Sequence, residues 1–119
     1  MKKMAILSCL EACRVCTGGG CLRAWNEKER HFAQYAGQEA VLTAFLHCNG
    51  CGGRPESVEP RQDPGIVEKL DYLQDNGVDV VHIGICTVTD RETGEICPVI
   101  RTMEQMLLER GIPTVFGTH

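Results

Sequence analysis

Four short apolar runs punctuate the chain, and the segments between them repeat apolar residues at helical spacing. Met4 to Leu7 reads MAIL, Val41 to His47 reads VLTAFLH, Val78 to Ile85 reads VDVVHIGI, and Ile112 to Gly117 reads IPTVFG. Such continuous runs suit strands of a parallel sheet covered on both faces. Between the first two, Leu22, Trp25, Phe32 and Ala36 fall at helical intervals and predict a helix over Cys21 to Ala36. Asp63-Pro64 starts a second helix, with Asp63 as N-cap and Pro64 in the first turn. Its stripe is Ile66, Val67, Leu70 and Leu73, and Gly77 stops it. Cys97-Pro98 repeats the start signal before Ile100, Met103, Met106 and Leu107, and Gly111 ends that helix. Arg91 to Gly94 reads as a turn inside the one long connection.

Strands alternating with helices imply right-handed crossovers and a parallel sheet. The expected fold is α/β: a short doubly wound domain over residues 1–119, with four parallel strands in the order 2-1-3-4 and helices on both faces.

Length agrees with a single domain. The formal net charge of -4 and the scattered Lys and Arg residues point away from a nucleic-acid surface. No segment is long and apolar enough to span a bilayer, so no membrane association is expected. The opening MKKMAILSCLEAC is broken by Glu11 and too short for an export signal, which leads to an expected cytoplasmic location.

Eight cysteines are the outlying number. In a reducing compartment, clustered thiols bind metal or do redox work more often than they form a disulfide scaffold. The expected topology gives them one address. Cys9 follows the first strand, Cys48 and Cys51 the second, Cys86 the third and His119 the fourth. Those positions lie at the carboxyl edge of the sheet, where open α/β folds bind ligands. Cys13, Cys16 and Cys21 lead from that edge into the first helix, and Cys97 opens the third. The helix starts beside Cys21 and Cys97 are expected to lower thiol pKa values. Two C-x-x-C pairs, Cys13/Cys16 and Cys48/Cys51, suit corners of a zinc or iron–sulfur site. Cys9 should neighbour both Cys48/Cys51 and Cys86, which makes those four the expected primary set.

The stretches AILSC, CTGGGCLRAWNEK, HCNGCGGR, VVHIGIC, Cys97-Pro98 and the closing Thr118-His119 together resemble the CGGC-domain family. The resemblance covers almost the whole chain and implies a cysteine-rich metal-binding α/β domain. It implies Cys9, Cys16, Cys21, Cys48, Cys51, Cys86, Cys97 and His119 as metal-site residues. The family's Cys-Gly-Gly-Cys element is Cys48-Asn49-Gly50-Cys51 here, with asparagine in place of the first glycine. Cys13 matches no family position.

Other readings stand beside the metal one. Cys48-x-x-Cys51 is a candidate thiol–disulfide redox pair, although Gly52, Gly53 and Pro55 disfavour the helix that such a pair usually opens. A structural or partner-binding subunit with a structural metal is the third reading. TGGGC, Thr17 to Cys21, lacks the Lys-Ser/Thr of a phosphate loop. His82 inside a strand reads as a satisfied core histidine, and His31 as a solvated residue in mid-helix. His47 abuts Cys48, but strand alternation sends neighbours to opposite faces. Glu11, Glu56, Glu59 and Asp90 read as solvated loop carboxylates.

Overall fold

The computed structural model describes residues 1–50 and 59–119. Strand β1 (Lys2–Ser8) runs through its centre, with Met4, Ala5, Ile6 and Leu7 all at 0% exposure. It leads through a 3-10 turn (Ala12–Arg14) into helix α1 (Gly19–Glu27) and a second 3-10 turn (Arg30–Tyr35). Strand β2 (Ala40–His47) follows, then helix α2 (Pro64–Asp75), strand β3 (Val80–Ile83), the short strands β4 (Val88–Asp90) and β5 (Glu95–Ile96), helix α3 (Pro98–Glu109) and strand β6 (Thr114–Phe116).

The main sheet has four strands in the order β2-β1-β3-β6, and every neighbouring pair is parallel. The fold class is therefore the expected one. The order differs in one respect: an antiparallel ribbon, β4-β5, is inserted, so the fourth parallel strand is the sixth along the chain. The ribbon forms around the Arg91–Gly94 turn, where the Gly94 N–H donates to the Asp90 carbonyl at 2.8 Å.

Period two sorts the central strands between two cores. Ala5, Leu7, Val81 and Ile83 pack with Ile66, Leu70 and Leu73 of α2 and with Ile100, Met103, Met106 and Leu107 of α3. Met4, Ile6 and Val80 pack on the other face with Ala24 and Trp25 of α1, and with Phe32 and Tyr35. Asp63 caps α2, its carboxylate accepting from the Gly65 N–H at 2.9 Å and the Ile66 N–H at 3.4 Å.

The expected single helix over Cys21 to Ala36 is broken. α1 stops at Glu27, Lys28 and Arg30 take positive φ angles of 54° and 53°, and the chain resumes as a 3-10 turn. Left-handed non-glycine residues cost about 1–2 kcal/mol each. Turning there lets Phe32 and Tyr35 bury against Trp25, with the Trp25 and Phe32 rings edge to face at 5.4 Å. Full burial of a large apolar side chain returns about 1.5–3 kcal/mol, which offsets the strain. His31 accordingly sits in the 3-10 turn, not mid-helix; it is exposed, with its ring against Gly117.

Candidate functional site at the carboxyl edge

The strand ends align at one edge. Ser8 pairs with His47 in register, the Gly84 N–H donates to the Leu7 carbonyl at 2.9 Å, and the Gly117 N–H to the Ile83 carbonyl at 2.7 Å. Cys9, Cys48, Cys86 and the Thr118-His119 pair therefore leave the sheet on the same rim. Cys16 precedes α1, Cys21 lies in its first turn, and Cys97 is the residue before α3. Cys51 lies outside the described residues, as do Gly52, Gly53, Pro55 and Glu56. The seven described cysteines are free thiols.

The rim is divided by the sheet. On the α1 side, Cys13, Cys16, Cys21, Cys86 and His119 line a cavity of about 30 Å³, closed by apolar atoms of Phe45 and Ile85. The Cys86 sulfur accepts the Cys9 N–H at 3.3 Å, which places Cys9 beside that group. The Cys21 sulfur contacts the buried Thr118 hydroxyl at 3.2 Å. Gly84 packs closely here: a Cβ there would stand 3.2 Å from the Cys86 sulfur, a tight contact that the sulfur would have to yield to. On the other side, Cys48 is 3% exposed and packs into the α2–α3 core, where its sulfur accepts the Leu10 N–H at 3.4 Å. Cys97 packs against the same core.

The expected lowering of the Cys21 thiol pKa by the start of α1 is not what results. Burial pushes it up, and the Thr118 contact opposes this only in part. Cys86 is pushed up as well, first by burial and then by its thiol neighbours Cys9, Cys21 and Cys13, against the opposing Cys9 N–H. Crowded, desolvated thiols favour the neutral form until a cation offsets their charge.

His47 points away from Cys48. Its Nδ1 lies 2.7 Å from the Ser8 hydroxyl and 3.5 Å from the Cys13 sulfur. Sequence reasoning placed Cys13 only in a C-x-x-C pair with Cys16 and gave Ser8 no role; nothing in the pattern marks Ser8, whose contact depends on the β1–β2 register. His82 is a satisfied core residue. The Gly117 carbonyl accepts from its Nδ1–H at 2.8 Å, so Nε2 is the acceptor for the Tyr35 hydroxyl at 2.7 Å. Asn49, the departure from Cys-Gly-Gly-Cys, uses its side chain to tie the chain just after β2 to α2. It accepts from Lys69 Nζ at 2.7 Å and donates to Asp63 at 3.1 Å.

The profile of the CGGC domain matches residues 3–119. The chain belongs to the CGGC domain family. No curated protein and no solved structure matches it. As a CGGC domain it is cysteine-rich, with a donor set consistent with metal binding. Sulfur donors with one imidazole suit zinc or an iron–sulfur cluster and not magnesium or calcium. Among the described residues, however, no three His, Cys, Asp or Glu side chains form a group that could hold an ion as they stand. The donor chemistry fits a thiophilic metal; a completed coordination sphere would need side-chain movement or Cys51. No helix among the described residues is long and apolar enough to cross a membrane.

Proposed function

We propose that this CGGC domain binds a thiophilic metal, zinc or an iron–sulfur cluster, in the cytoplasm through its carboxyl-edge thiols. The supporting observation is the small cavity that Cys16, Cys21 and Cys86 share with His119. These four are the proposed ligands, with Cys9 beside Cys86 supplying an N–H to its sulfur. Backbone N–H groups directed at sulfur stabilise thiolates, and a bound cation removes the repulsion that keeps crowded thiols protonated. The wider expected set adds Cys48, Cys51 and Cys97; Cys48 and Cys97 join it only if the rim rearranges across the sheet edge. The 3% exposure of Cys48 weighs against the redox reading of Cys48-x-x-Cys51, because an attacking sulfur needs access to its disulfide.

Elemental analysis and visible absorption of anaerobically purified protein test the reading. A brown protein with visible absorption identifies a cluster, and a colourless protein carrying zinc identifies a zinc site. Cys21→Ser and Cys86→Ser should each lose metal. Protein that carries no metal, with every thiol titratable, would sink the proposal.

A further inference from the structure

Cys13 and His47 have no part in the proposed metal set, yet they meet at a second, open pocket of about 360 Å³. Cys13, Cys16, Leu22, Phe45 and His47 are among the residues that line it. The volume suits a small ligand, and the lining mixes apolar carbon with one imidazole and two sulfurs. We propose that Cys13 and Cys16 act as a dithiol that exchanges with low-molecular-weight disulfides bound in this pocket, with Cys16 attacking and Cys13 resolving.

Access assigns the order. Cys16 is exposed and its sulfur accepts the Gly18 N–H at 3.3 Å, whereas Cys13 is half-buried. The Cys13 sulfur is held between His47 Nδ1 at 3.5 Å and the Ser8 hydroxyl at 3.6 Å, facing the same pocket. The two thiols lie one turn apart, since the Cys16 N–H donates to the Ala12 carbonyl at 3.0 Å. Residues three apart on a helical turn have Cβ atoms about 5–6 Å apart. A disulfide needs about 3.5–4.5 Å, so the turn must tighten by a small amount. Little packing opposes that change: between the two cysteines Val15 is 92% exposed, and Cys16 itself is exposed.

In the first step the Cys16 sulfur bonds to one sulfur of the substrate, R–S–S–R. The substrate bond breaks, and one R–SH leaves with the proton given up by Cys16. In the second step Cys13 attacks the Cys16 sulfur of the mixed disulfide and a second R–SH leaves. Two thiols of the protein are oxidised and one external disulfide is reduced to two thiols. An external dithiol returns the protein by the reverse steps. Cys16 is also a proposed metal ligand, so oxidation and metal binding compete for it, but the exchange does not depend on the metal reading.

The test uses full-length protein, stripped with chelator, in oxidised glutathione, with the disulfides mapped by mass spectrometry. The expected product is an intramolecular Cys13–Cys16 bond in the wild type. Cys13→Ser should retain glutathione on Cys16, and Cys16→Ser should carry none on Cys13. If Cys13 and Cys16 stay reduced under conditions that oxidise dithiothreitol, or pair with other cysteines, the inference is overturned. That measurement needs no variant to fold. An adduct on Cys13 in Cys16→Ser overturns the assigned order. Metal content measured before stripping judges the metal proposal separately, since either result can occur with or without the disulfide.

Discussion

At the scale of single residues, His82 shows how a buried polar group becomes a pH-dependent contributor to stability. It is fully buried, both ring nitrogens are satisfied, and the Phe32 ring lies tilted against it with centroids 4.6 Å apart. Burial pushes its pKa down, the Gly117 carbonyl opposes that shift, and the charge on His31 adds to it. A histidine with a depressed folded pKa stays neutral while the unfolded chain takes up a proton. Its stabilisation is therefore present above the unfolded pKa near 6.5 and is lost as pH falls below it. Urea unfolding between about pH 7.5 and about pH 5.5 should give falling stability, with a shallower dependence in His82→Gln. Equal slopes would assign the dependence elsewhere. Tyr35→Phe leaves Nε2 without its donor and should cost about 1–3 kcal/mol at neutral pH.

At the scale of elements, Asp63 couples Asn49, just after β2, to helix α2. One carboxylate oxygen caps α2 and the other accepts from Asn49. Asp63→Ala should lower stability by about 1 kcal/mol, up to about 2, read as a lower urea midpoint at unchanged slope. An unchanged midpoint would mean that Pro64 and the α2 packing define the helix start alone. The start and stop of α2 were legible in the sequence because capping chemistry is local. The break after Glu27 was not. Periodicity sees Trp25 and Phe32 at compatible positions, whereas the left-handed turn at Lys28 and Arg30 is selected by aromatic packing that only the folded chain contains.

At the scale of the whole molecule, a metal bridging Cys16, Cys21, Cys86 and His119 would join the loop before α1, α1 itself, the turn after β3 and the segment after β6. A ligand that binds only the folded state stabilises it in proportion to its occupancy. Chelator should therefore lower the thermal midpoint of the metal-loaded protein, and Cys86→Ser should abolish the difference. Full metal content and unchanged melting in Cys86→Ser would mean that the cavity group is not the site, and that any metal is held locally by one cysteine pair.

The sequence by itself determined the α/β class, the four parallel strands and their carboxyl edge, and with them the rim that gathers the cysteines. These follow from local signals: apolar runs, helical stripes, proline starts, glycine stops and the handedness of crossovers. Only the tertiary structure decided how the rim is partitioned. Strand alternation already sent His47 and Cys48 to opposite faces, but only the fold set their surroundings: the Cys48 sulfur in the α2–α3 core and the imidazole beside Cys13. Cys21, beside a helix start, has its thiol pKa raised, because burial outweighs the opposing hydrogen bond from Thr118. Which thiols share a cavity depends on packing between segments far apart in sequence, and spacing along the chain carries no record of that packing.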